Sequence, residues 1–125
     1  MRKLLVINFL NPIKYTEALD LQKRIHTLRV NNVINDVLIL LEHYPVITSG
    51  RFGKESNLLK TESELKELGI EYFRVDRGGD ITYHGPGQLV GYLIFKVEGV
   101  KNFILKIERG LVKVLSDYGI KADLS

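Results

Sequence analysis

The sequence predicts an α/β or α+β domain, and three observations carry that prediction. Short apolar or partly alternating runs recur along the chain, as strands do. Two long segments instead repeat apolar residues at spacings of three and four, the period of a helix with one core-facing stripe. Between two of the strand-like runs lies a glycine-rich stretch, residues 77–88, whose composition is that of turns rather than of either period.

Taken in order, residues 3–9 contain Leu-Leu-Val-Ile-Asn-Phe, a first strand that Asn11-Pro12 stops. From Tyr15 to about residue 31 the pattern is helical. Ala18, Leu21, Ile25 and Leu28 share a face, Glu17 and Asp20 suit the positive N-terminal end, and Asn31-Asn32 suits the close. His26 falls at the surface or boundary of that helix. Residues 36–42 hold a continuous apolar run, expected of a strand buried on both faces. Pro45 lacks a backbone donor and marks a strand edge or start. Residues 46–48 resume extension, and 49–53 turn. Residues 58–68 predict a short helix with Glu62, Glu64, Lys66 and Glu67 outside and Gly69 as its C-terminal cap. Residues 70–75 partly alternate, as a strand does. Residues 89–95 predict a central strand in which Gly91 admits a close neighbour. Asn102 suits the cap of a second long helix, with Ile104, Ile107, Leu111, Val114 and Tyr118 as its core-facing stripe and Gly119 as its end. Residues 120–125 begin the next connection or strand. With no repeat, low-complexity segment or linker, residues 1–125 are expected to form a single domain.

Composition narrows the function classes. At 125 residues, with 45% hydrophobic and 26% charged content, the chain can bury a core and reads as a soluble protein. The 18 basic and 15 acidic residues leave +3. This excess lacks the basic stripe that nucleic acid requires. It would suit docking to an acidic protein partner, but a mixed, solvated surface is the favoured explanation. No apolar run reaches membrane-spanning length, and residues 1–9 are a poor match to a signal peptide. A cytoplasmic location without membrane attachment is therefore expected. The sequence has no cysteine, so it offers no disulfide, thiolate metal ligand or sulfur nucleophile.

The stretch Arg77-Gly78-Gly79-Asp80-Ile81-Thr82-Tyr83-His84-Gly85-Pro86-Gly87-Gln88 holds four of the 11 glycines. Glycines let a ligand approach the main chain. Ile81, Thr82 and Tyr83 favour a short extended segment between the two glycine clusters. The expected result is a backbone-lined cleft floor carrying Arg77, Tyr83 and His84. An ordinary hairpin connection is the competing reading.

This string resembles the signature of the octanoyltransferases of lipoate biosynthesis, the lipoate-protein ligase B family. A second block upstream, Glu42-His43-Tyr44-Pro45-Val46-Ile47-Thr48-Ser49-Gly50-Arg51, followed by Gly53-Lys54 and Asn57-Leu58-Leu59, is similar to that family's second motif in order and separation. The resemblance covers the whole chain but only the N-terminal part of the family. It implies a mixed sheet with packed helices, the catalytic-domain fold of lipoate and biotin protein ligases, here without its C-terminal strands. It also implies an acyltransferase that moves octanoyl from octanoyl-acyl carrier protein to a lysine of lipoyl domains, in 2-oxoacid dehydrogenases or the glycine cleavage H protein. The family's route is a cysteine thioester beside a lysine that lowers the thiol's pKa, with no metal or nucleotide cofactor.

The resemblance supplies no catalytic residue here, because the family's lysine and cysteine belong to its C-terminal part. It carries over a substrate-binding set: Arg77, Gly78, Gly79, Asp80, Ile81, Thr82, Tyr83 and His84. Main-chain amides there could bind the thioester carbonyl, Tyr83 could wall the acyl tunnel, and His84 could orient the thioester or relay a proton. Arg77 has a second reading, a structural tie to a carboxylate such as Asp80 or Glu42. Secondary candidates are His43, Tyr44, Arg51, Gly85 and Gly87. His43 has the competing reading of an imidazole satisfied by backbone at a strand end, and Arg51 and Lys54 that of solvated charges. Three functions remain in view. The chain is an octanoyltransferase component, shortened or joined by a C-terminal partner chain. Alternatively it is a non-catalytic acyl or carrier-protein binding module. The third, an adenylating ligase, is disfavoured because Tyr-His-Gly-Pro-Gly-Gln departs from the loops of those ligases. Under the first, transfer by this chain alone is expected to be absent.

Overall fold

The computed structural model describes residues 2–124, so Met1 and Ser125, the latter the end of the last predicted segment, lie outside the described residues. The order is β1 (Leu4–Asn8), α1 (Tyr15–Val30), β2 (Asp36–Leu41), β3 (Val46–Ser49), α2 (Glu62–Glu67), β4 (Glu71–Arg74), β5 (Ile81–His84), β6 (Val90–Ile94) and α3 (Val100–Asp117). These elements fall in two compact units, Met1–Phe95 and Lys96–Ser125.

The first unit contains two three-stranded sheets, β1-β2-β6 and β4-β3-β5. Each is mixed. β2 pairs parallel with β1 and antiparallel with β6. β3 pairs parallel with β4 and antiparallel with β5. The apolar face of α1 is the reason the first sheet has a core. Ala18 and Ile25 are buried with Val37, Ile39 and Leu41 of β2, and Leu21, Val90, Tyr92 and Ile94 pack around them. Alternation decides which strand residues take part, because side chains two apart share a face. Asp36 opens β2 as a buried carboxylate, and the Arg29 guanidinium at 2.8 Å and Arg2 pair with it. Helix α1 closes at Asn31, and Asn32 takes φ 56°, a left-handed conformation that Asn tolerates.

Four expectations are corrected. The helix predicted over residues 58–68 is confined to Glu62–Glu67. Thr61 starts it with a capping box, accepting from the Glu64 amide at 3.2 Å while its own amide donates to the Glu64 carboxylate at 2.9 Å. Residues 55–57 form a separate 3-10 turn. The strand β6, predicted central, is an edge of its sheet among the described residues, since β2 takes the middle. A Cβ on Gly91 would stand 3.6 Å from Leu40, an ordinary contact, so no close approach requires that glycine. Helix α3 starts at Val100 with Gly99 as cap and no side-chain cap bond, rather than at Asn102. No α3 residue is buried, and Ile104, Leu111, Val114 and Tyr118 are exposed. The spacing of three and four is present, but the stripe is not core-facing as expected: among the described residues of its own unit no second layer covers it.

Candidate functional site

The two upstream and downstream motifs meet in the first unit, where the second sheet lies beside the first. The loop after β4 is organised by Arg77. Its guanidinium reaches the Thr48 hydroxyl at 2.7 Å and the Thr48 carbonyl at 2.9 Å. It also donates to the carbonyls of Gly78 at 2.8 Å and Asp80 at 2.9 Å. The fork geometry of guanidinium suits several such acceptors at once. Arg77 is thus tied to main-chain and hydroxyl oxygens, not to the carboxylates of Asp80 or Glu42.

Backbone donors of the preceding loop complete the arrangement. The Arg51 amide donates to the Arg77 carbonyl at 2.8 Å, and the Phe52 amide to the Gly79 carbonyl at 3.2 Å. All four carbonyls of residues 77–80 are therefore engaged inside the protein. No protein acceptor for the Gly78 or Gly79 amide is found among the described residues. Gly79 has φ 90°, which side chains rarely adopt. Gly50 is required for a different reason: a Cβ there would fall 2.4 Å from the Gly79 carbonyl oxygen. Asp80 fastens the same loop from the other side, accepting from the Lys54 amide at 2.9 Å, from the Ile81 amide at 2.8 Å and from the Asn57 side chain. Those bonds, led by the Lys54 amide, hold its carboxyl below the usual carboxylate range.

β5 then sorts its residues by alternation. Register pairs Thr82 with Thr48 and His84 with Val46, while Tyr83 lies opposite Ile47. His84 and Thr82 accordingly share one face of the sheet, and Ile81 and Tyr83 the other. On the His84 face stand Tyr15, His43 and Tyr92. Ring centroids separate His43 from Tyr15 by 5.5 Å, from Tyr92 by 5.8 Å and from His84 by 5.9 Å. Phe73 stacks on Tyr15 at 5.7 Å.

His43 is fully buried, and both its ring nitrogens are used. Nδ1 lies 3.0 Å from the Ile13 carbonyl, which can only accept, so Nδ1 carries the proton. Nε2 then accepts from the Tyr92 hydroxyl at 2.6 Å. Burial lowers the His43 pKa, the Ile13 bond opposes this, and neighbouring His84 lowers it further. Burial, aided by Tyr15, pushes the Tyr92 hydroxyl up to about 12, so it stays a donor. Tyr15 is raised by burial against the opposing charge of Arg77.

The structure brings together Arg77, Gly78, Gly79, Asp80, Thr82, His84 and His43. It places Tyr83 on the opposite face from His84, about half exposed, with its ring over Gly85: a Cβ at Gly85 would come 2.2 Å from the Tyr83 hydroxyl oxygen. Tyr44 and Arg51 are exposed, and Arg51 pairs with Asp76 at 3.5 Å. Gly87 has φ 90°. Sequence reasoning missed Tyr15, Thr48 and Tyr92 as neighbours of the site, since only the folded topology joins them. It also missed Gln88, whose amide oxygen accepts from His84 Nδ1. The Gly-Pro-Gly turn between His84 and Gln88 was a usable signal for that pair. Among the described residues no group of three or more His, Asp or Glu could hold a metal ion, and no helix is long and apolar enough to cross a membrane.

Comparison with known proteins follows the same lines. The family model of the lipoyl protein ligase A/B catalytic domain matches residues 14–125. An octanoyltransferase from Dictyoglomus turgidum is 67% identical over 122 residues, covering 98% of this chain and 53% of that protein. One from Caldicellulosiruptor saccharolyticus is 47% identical over 119 residues, covering 91% of this chain and 51% of that protein. The chain thus spans about half the length of the curated relatives it matches. Among solved structures, a T. acidophilum protein assigned as a candidate lipoate protein ligase has a TM-score of 0.62 at 16% identity, covering 97% of this chain and 50% of that one. P. falciparum LipL1, solved in complex with lipoate, has a TM-score of 0.61 at 19% identity, covering 98% of this chain and 39% of that one. At these identities the structural likeness concerns the fold, and it is the fold expected from the sequence.

Proposed function

Because the chain belongs to the lipoyl protein ligase A/B catalytic domain family, we propose that it supplies the acyl-binding part of an octanoyltransferase of lipoate biosynthesis. The donor is octanoyl-acyl carrier protein, the acceptor a lysine of a lipoyl domain, and the compartment the cytoplasm. The observation that carries this reading is the orientation of residues 77–80. With four carbonyls held inside the protein, the Gly78 and Gly79 amides are left as donors for a thioester carbonyl, which gains negative charge as it is attacked. Open space at Gly78, where an added Cβ would meet nothing within 4 Å, lets an acyl group come against the main chain. Arg77 and Asp80 keep the loop in shape, and His84 faces the reacting group. The absence of cysteine favours a binding role for these 125 residues over a complete transfer apparatus.

Gly79→Val tests the reading. A β-branched residue at φ 90° is strained, and its side chain would move the loop. Octanoyl-pantetheine is expected to bind at least about tenfold more weakly, about 1.4 kcal/mol, with an unchanged far-UV spectrum. Gly78→Ala, which meets no protein atom within 4 Å, is expected to weaken binding without loss of stability. Calorimetric titration checks both, and equal binding by both variants would contradict the proposal.

A further inference from the structure

We propose that Gln88 is a positioning residue for His84, holding its imidazole as the Nδ1–H tautomer and leaving Nε2 as the bare, proton-accepting nitrogen. The turn between them explains why they meet. In residues 85–88, Pro86 occupies the second position and Gly87, at φ 90°, the third, while the Gln88 amide donates to the Gly85 carbonyl at 3.1 Å. This is the residue pattern of a type II turn, in which proline sets φ and glycine takes the positive one. The turn folds Gln88 back until its amide oxygen Oε1 receives His84 Nδ1. An amide oxygen only accepts, so Nδ1 must carry the proton and the neutral ring has its lone pair on Nε2.

The neighbouring histidine cannot do the same work. His43 Nε2 is filled by the Tyr92 hydroxyl and its Nδ1 by the Ile13 carbonyl, and the ring has no exposure. The two imidazoles, 5.9 Å apart, therefore divide their roles: one is a fixed wall and the other a proton acceptor. The use of that acceptor rests on the octanoyl-transfer reading above. As the acceptor lysine's amine attacks the thioester, its N–C bond forms and the C–S bond breaks. One amine proton passes to His84 Nε2 and from there to the departing thiolate.

Uniformly 15N-labelled histidine in the 125-residue chain, observed at about pH 8 where free imidazole is neutral, reads the tautomer directly. Wild type is expected to show a protonated Nδ1 and a bare Nε2 at His84. Gln88→Glu keeps an oxygen acceptor and is expected to retain that pattern. Gln88→Met keeps the length but removes the acceptor, and the Nδ1–H form is expected to fall from dominant to minor. His43 should stay Nδ1–H throughout, bound to Ile13. A bare Nδ1 at His84 in wild type would overturn the inference, as would an unchanged tautomer in Gln88→Met. If Gln88→Met fails to fold, the wild-type and Gln88→Glu spectra decide on the same criterion. Loss of octanoyl-pantetheine binding with the tautomer intact would instead overturn the functional reading alone. A wrong tautomer with intact binding would overturn this inference alone.

Discussion

The 125-residue chain, incubated with octanoyl-acyl carrier protein and an apo-lipoyl domain, is expected to leave no octanoylated lysine above background. Transfer in the family this chain resembles passes through a cysteine thioester. A thiolate is a competent acyl acceptor near neutral pH because it is both accessible in charge state and strongly nucleophilic. The chain contains no cysteine at any position. The best remaining nucleophile is His84, and an acyl-imidazole formed there would be short-lived in water. Removing a catalytic nucleophile in other enzymes costs about a million-fold in rate, and a deficit of that order lies below detection in an ordinary time course. Mass spectrometry of the lipoyl domain checks the outcome. Robust modification by this chain alone would show that the cysteine route does not apply to it.

His43→Leu is expected to cost about 1–3 kcal/mol of stability, the cost of leaving a buried polar group, here the Tyr92 hydroxyl, without its partner. The substitution is close in volume but removes the partner of the Tyr92 hydroxyl and one of two donors to the Ile13 carbonyl, which keeps the Tyr44 amide at 3.4 Å, around an imidazole that is itself fully buried. The same residue sets an acid dependence. Its folded-state pKa is lowered, mainly by burial, from the ordinary 6.5, so the unfolded chain binds the proton more readily. The stability held by neutral His43 is therefore complete above about pH 6.5 and drains as pH falls through the lower folded value. Urea midpoints taken at several pH values are expected to fall on acidification in wild type and to lose that component in His43→Leu. A variant as stable as wild type, with the same acid slope, would contradict this account of the buried imidazole.

The parts of the fold legible in the sequence were those with local causes. The period of Ala18, Leu21 and Ile25 marked α1, and the two asparagines its end. Gly69 and Gly119 closed α2 and α3 at positive φ, as their positions suggested. The Thr61 capping box was equally local and was passed over. What could not be read was pairing between distant segments. The order β1-β2-β6 demoted a strand rich in apolar residues to an edge, and nothing in residues 89–95 distinguishes the two positions. The α3 stripe could be seen, but periodicity does not say what surface meets it. At the site, the glycine loop and His84 were visible through composition and motif. Tyr15 and Tyr92 were not, because Tyr15 reads only as the start of α1 and Tyr92 as one residue of an apolar strand. The opposite facing of Tyr83 and His84 follows from adjacency on a strand, once residues 81–84 are known to be paired in register with β3.

The central claim, that the Gly78 and Gly79 amides receive an acyl thioester, is tested most directly by titrating octanoyl-pantetheine into the 15N-labelled chain. Backbone amide shifts would be followed residue by residue. The expected result is a saturable response, largest at Gly78 and Gly79 and extending to His84. A response confined to the open groove lined by Leu58, Thr61, Tyr72 and Arg74, or none at all, would contradict the claim.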